Sequence, residues 1–134
     1  MTQDEFLKGC STWNNHLPFM WLALEATKDS KLPVAEFGGG SSTPILRQYC
    51  LDNNRPFVSF DNNKEWAEKV GSTFIEDWDT ADIYKDYSVV LVDEAPGEHR
   101  HKTASILKDK ALILVLHDSE LNGGGQYFYE KILY

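Results

Sequence analysis

The residues of this 134-residue chain best suited to chemistry stand in small clusters, each directly after an apolar run. Glu36 and Phe37 lead into Gly38-Gly39-Gly40, which is followed by Ser42 and Thr43. Asp61 and Asn62 follow the run 57–60, Asp77 and Trp78 follow 73–75, Asp93 follows 88–92, and His117-Asp118 follows 111–116. Glycines let a backbone turn sharply and let a ligand approach where a side chain would block it. An acid in the position of Asp61 can accept hydrogen bonds from both hydroxyls of a ribose. A histidine next to an acid, as in His117-Asp118, is suited to moving a proton near neutral pH. Glu94, His99 and Arg100 are further polar candidates in the same part of the chain.

These clusters are informative only if the elements before them are strands. Leu17, Met20, Trp21 and Leu24 recur at i, i+3, i+4 and i+7, the pattern of one buried helical stripe, and predict a helix over 18–27. Val34 to Phe37 predicts a strand stopped by the glycines; Thr43 as N-cap and Pro44 as first helical residue predict a helix to Leu51. Strands are expected at 57–60, 73–75, 88–92 and 111–116, with helices at 64–70 and 98–108 between them. Continuous apolar strands alternating with helices imply parallel crossovers and a sheet covered on both faces. The expected fold is α/β: one Rossmann-like, doubly wound, mostly parallel sheet of about five strands with flanking helices, in a single domain over 1–134. In such sheets ligands bind beyond the carboxyl ends of the strands, near the switch in strand order, which is where the clusters fall.

The combination of glycine turn and strand-end acids describes a site for an adenosine-containing ligand. A dinucleotide fingerprint has a third glycine where this chain has Thr43, and Glu36 would set a carboxylate near the pyrophosphate. The same carboxylate suits a ligand carrying an ammonium and a sulfonium, as S-adenosylmethionine does. At these residues the chain resembles class I S-adenosylmethionine-dependent methyltransferases, over roughly 34–120. Glu36-Phe-Gly-Gly-Gly-Ser-Ser-Thr-Pro looks like their first motif. The resemblance implies that the backbone at Gly38, Gly39 and Gly40 lies against the methionine part of the cofactor, with Glu36 holding its amine directly or through water. Ser42 and Thr43 would lie near its carboxylate, Asp61 and Asn62 at the ribose, Asp77 and Trp78 at the adenine, and Asp93 after the fourth strand. Asp93, His117 and Asp118 are the expected catalytic residues, and a small molecule the expected methyl acceptor. One branch, resembling catechol O-methyltransferases, holds a divalent metal on acids in the positions of Asp93 and Asp118. Ser119 and Pro96 depart from that branch's Asn and Lys, and no metal is expected.

Composition narrows the alternatives. Acids outnumber bases by 21 to 13, a net charge of -8, and Lys and Arg are scattered singly, which disfavours nucleic acid and anionic membranes as partners. Cys10 and Cys50 form no paired motif, and no signal peptide or membrane span is legible, which together point to a cytoplasmic protein. The family's usual ending, a helix and an antiparallel pair of strands, is not expected in the stretch after Glu120. An uncovered fifth strand or the aromatic segment 126–134 would then favour a homo-oligomer. Three rivals stand beside the methyltransferase: a degenerate S-adenosylmethionine-binding protein, an enzyme of another class such as a dinucleotide oxidoreductase, and an interaction module built on the aromatic tail.

Overall fold

A computed structural model describes residues 1–118 and 131–132. Its centre is a five-stranded, all-parallel sheet in the order β3-β2-β1-β4-β5, formed by β1 (Val34–Phe37), β2 (Phe57–Asp61), β3 (Thr73–Phe74), β4 (Tyr87–Val92) and β5 (Ala111–Leu116). The helices are α1 (Gln3–Leu7), α2 (Leu17–Ala26), α3 (Thr43–Asp52), α4 (Lys64–Val70) and α5 (Arg100–Leu107). The fold is Rossmann-like, and the chain reverses its direction of travel across the sheet between β1 and β4. The expected lack of an antiparallel strand pair, the aromatic segment 126–134 apart from Lys131 and Ile132, and Ser119 all fall on residues outside those described.

Side chains alternate across each strand and thereby divide the core in two. Val34, Val89 and Leu91 face Phe6 of α1, Leu17, Met20 and Leu24 of α2, and Leu46 and Tyr49 of α3. Ala35, Phe37, Val90 and Val92 face the other way, where they join Leu107 of α5, Trp78 and Ile83 of the preceding segment, and Tyr87 at the start of β4. Both faces of β1 and β4 are covered, which is why every residue of these two strands is buried. Glu36 shares the parity of Val34, so its carboxylate enters the α3 side of the sheet with no water to meet it.

The sheet is stapled at its amino edge by a buried guanidinium. Arg55 donates to the Leu24 carbonyl at 2.8 Å, to Thr27 Oγ1 at 3.0 Å and to Ser88 Oγ at 2.9 Å, joining α2 to the start of β4. Helix α1 was not expected from the sequence. It carries a capping box, in which Thr2 Oγ1 accepts from the Glu5 amide and the Glu5 carboxylate accepts from the Thr2 amide. One face of so short a helix buries only Phe6, too little to register as a periodic stripe.

Candidate active site at the carboxyl edge

The three glycines after β1 serve three different ends. Gly38 has φ +100°, and a Cβ there would stand 2.5 Å from the Asp93 carbonyl, so only glycine lets the turn press against the end of β4. At Gly39 a Cβ would meet Ser72 Oγ, while its amide donates to Asp61 Oδ2 at 3.0 Å and its carbonyl accepts from Trp66 Nε1 at 2.7 Å. Gly40 is the opposite case. A Cβ built there meets nothing within 4 Å, so this glycine faces open space.

Glu36 lies beneath the start of α3 with no solvent exposure. Oε1 accepts from Ser42 Oγ at 2.6 Å; Oε2 accepts from Thr43 Oγ1 at 2.6 Å and from Ser59 Oγ at 2.8 Å. Thr43 Oγ1 also accepts the Gly40 amide at 2.8 Å, which ties the glycine turn to the same group. Burial pushes the carboxyl up to about 7, and the three hydroxyl bonds only partly oppose it. The acid expected to meet a ligand's amine is thus enclosed by the protein's own hydroxyls. Ser42 and Thr43 are likewise turned to Glu36: Ser42 is the N-cap of α3 but makes no side-chain cap bond, and Thr43, expected as the cap, is the first helical residue.

Asp61 ends β2 and is nearly buried. Its Oδ1 accepts the Asn63 amide at 2.8 Å and its Oδ2 the Gly39 amide, while burial, the largest influence, raises its pKa. A carboxylate oxygen accepts more than one hydrogen bond, so these contacts leave acceptor capacity for a ribose hydroxyl. The cap of α4 is Asn63, whose Oδ1 accepts from the Trp66 amide at 3.0 Å. Asn62 reaches across to the β4 loop and donates to the Ala95 carbonyl at 2.9 Å, as does Trp78 Nε1 at 2.9 Å. Trp78 is buried against Phe37 as part of the core, not presented as a stacking surface, and Asp77 accepts the Asp79 amide at 3.0 Å to open a short 3-10 turn.

The ends of β4 and β5 carry the densest polar cluster. Arg100, at the start of α5, donates to the carbonyls of Glu94 at 2.8 Å and Asp93 at 3.2 Å, and its Nη2 stands 2.9 Å from Asp93 Oδ1. The same Asp93 oxygen is 2.7 Å from His117 Nδ1. A carboxylate and an amide oxygen both only accept, so Nδ1 carries a proton toward Asp93, and Nε2, 3.1 Å from Asn15 Oδ1, carries the second when the ring is charged; Nε2 is the nitrogen that titrates. Burial pulls the His117 pKa down, but the hydrogen bond and charge of Asp93, with Asp118, outweigh it and the net direction is up. Asp118 has φ +55° and places Oδ2 3.4 Å from His117 Nδ1. Glu94 is fully buried 3.5 Å from His99, and that contact raises the His99 pKa, so both are drawn into the α5 side.

Gly39, Gly40, Asp93, Arg100 and His117 border one cleft of about 620 Å³ at the carboxyl edge, where the strand order reverses between β1 and β4. Of the residues picked out from sequence, Gly39, Gly40, Ser42, Asp93, Arg100, His117 and Asp118 border it. Glu36, Thr43, Asp61, Asn62, Asp77 and Trp78 do not border it and are engaged with the protein's own groups, and Gly38 shapes the turn from behind. The sequence reading missed the far wall, which Trp13, Asn14 and Trp66 supply. The signal for Trp66 was its place one turn into the helix after Asp61; Trp13 and Asn14 lie in a stretch with no periodicity to place them.

Among the described residues no group of three or more His, Cys, Asp and Glu side chains is arranged to hold a metal, and no helix is long and apolar enough to cross a membrane. Comparison with known proteins returns no match: no family model, curated protein or solved structure is similar enough to count. The functional reading therefore rests on the chain's own residues.

Proposed function

We propose that the chain binds S-adenosylmethionine in the cleft at the strand-order reversal and directs its methyl group to a small-molecule acceptor. The observation that carries this reading is the convergence of the glycine turn and the β4 acid Asp93 on one cleft, with the β2 acid Asp61 bonded to the Gly39 amide behind its wall. Asp61 and Glu36 both feel the charge of Asp93; Arg100 offsets that charge, and Asp118 adds a second acid at the cleft, which suits a ligand bearing a positive charge. Gly40, with open space over its Cα, is where a ligand's backbone-like portion fits. When bound, the cofactor supplies a methyl group on a sulfonium sulfur. The protein's own part is to hold the ribose on Asp61, to orient the acceptor, and to accept the acceptor's proton at His117 Nε2. Asp93 keeps that imidazole in the tautomer with Nδ1 protonated, as the acid of a His-Asp pair does.

The second reading, a binding protein without transfer, is favoured by the enclosure of Glu36, which turns one acid of the motif into scaffold. Calorimetric titration with S-adenosylhomocysteine tests the shared premise. Micromolar binding is expected, weakened about tenfold or more in Asp61→Ala, equivalent to about 1.4 kcal/mol. Absence of binding below millimolar concentration overturns both readings. Release of S-adenosylhomocysteine in the presence of an acceptor pool, lost in His117→Ala with cofactor affinity retained, separates the enzyme from the binder.

A further inference from the structure

We propose that a second cavity, between α2 and β5, is the acceptor site, and that it takes a neutral, apolar molecule bearing one hydroxyl, of the alkylphenol class. The cavity measures about 580 Å³, within the usual range for small ligands, and its walls are Phe19, Leu22 and Ala26 on one side and the run Ile113 to Leu116 on the other. Its walls are apolar except at one end, where Asn15, His16, His117 and Asp118 gather. His117 and Asp118 also border the cofactor cleft, so the two spaces share a wall at the residue placed to accept a proton. Its role as acceptor site rests on the methyltransferase reading; its chemistry as a pocket does not.

His16 identifies the head group. It is 4% exposed and stands edge-on to His117 with ring centroids 4.6 Å apart. Neither ring nitrogen has a hydrogen-bond partner among the described residues. Buried polar atoms without partners are uncommon, because leaving water uncompensated is costly, and an imidazole in this position awaits a donor or acceptor from a ligand. Burial, and then the neighbouring His117, hold its pKa down to about 4, so the ring is neutral at physiological pH and offers one donor and one acceptor. A hydroxyl, being donor and acceptor at once, can pair with whichever of the two it meets. A carboxylate head would be repelled by Asp93 and Asp118.

The test is a ligand ladder titrated calorimetrically against the whole chain: phenol, 4-ethylphenol, 4-propylphenol and the methyl ether 4-propylanisole. Affinity is expected to rise about fourfold per added methylene, as burial of a CH₂ group predicts, and to fall about tenfold from 4-propylphenol to its ether, as loss of one hydrogen bond predicts. Ala26→Trp, at an exposed position on the cavity wall, is expected to abolish phenol binding while S-adenosylhomocysteine affinity stays as it was. His16→Phe, its fold checked by thermal melting, is expected to erase the gap between phenol and ether. A flat ladder, or phenol binding unchanged in Ala26→Trp, overturns the pocket even if the sulfur nucleoside binds. A phenol-to-ether gap that persists in His16→Phe overturns the role given to His16. A graded ladder with no sulfur-nucleoside binding supports the pocket and overturns the methyltransferase reading instead.

Discussion

Two buried ionisable groups lie on the same side of this sheet and have been treated in opposite ways. Glu36 sits at the end of β1 with three hydroxyls donating to it, whereas His16 sits at the start of α2 with both nitrogens lacking partners among the described residues. Each is 4% exposed or less. The difference teaches how to sort buried polar residues: one whose partners are all supplied by the protein holds the scaffold together, and one left unprovided at the wall of a groove is placed to meet something from outside.

The harshest way to break the comparison is Glu36→Ala. It leaves Ser42, Thr43 and Ser59 facing a void, loosens the glycine turn through Thr43, and is expected to cost about 3 to 5 kcal/mol, read as a drop in the urea midpoint. The same change at His16 should cost far less, because no described partner is orphaned. An equal loss at both positions would remove the distinction.

Next in size is the pH dependence. The Glu36 carboxyl titrates at about 7 in the fold against about 4.5 in the unfolded chain, so the folded state holds more protons between those values. Its contribution is therefore greatest at low pH and is lost as pH rises from about 4.5 through 7, by about 3 kcal/mol in all. Denaturation curves across that range should show the slope in the native chain and lose it in Glu36→Gln. His16 works in the opposite sense. Held near 4 in the fold against 6.5 unfolded, it favours the folded state above pH 6.5 and withdraws that support as pH falls toward 4. His16→Phe should flatten this acid limb, a smaller effect than that of Glu36 because the ring borders a cavity and water can enter to relieve it. Smallest of all is His16→Phe at pH 7.5 without ligand, where removing two unpaired nitrogens should leave stability within about 1 kcal/mol of the original or raise it slightly.

The fold was far easier to read from the sequence than the site, and the reason differs by residue. Strand β5 was placed to the residue because Ala111 to Leu116 is an unbroken apolar run, which parallel pairing demands. The glycine turn was legible because glycine types report backbone need directly. The fate of Glu36 was not, since its partners come from positions 42, 43 and 59 and only the strand parity turns it toward them. Asp61 was read as a ribose acid; its bonds to Gly39 and Asn63 were not legible, because that pairing is set by the closeness of β1 and β2. The polar group around His117 was half visible. His117 and Asp93 stood at strand ends, but Asn15, 102 positions earlier, and its neighbour His16 had only their place before a helix to announce them.

The three glycines after β1 also say where the protein can change. Position 38 is closed by the Asp93 backbone and its own left-handed angle, and position 39 by Ser72, so neither leaves room for variation. Position 40 has nothing within reach of a Cβ and no backbone angle that forbids one. Substitution there adds atoms to the cleft without disturbing the turn that forms it. Gly40 is thus the handle by which selection, or a designed library of Ala, Ser and Val, can narrow what enters the cleft while the framework beneath it stays as it is.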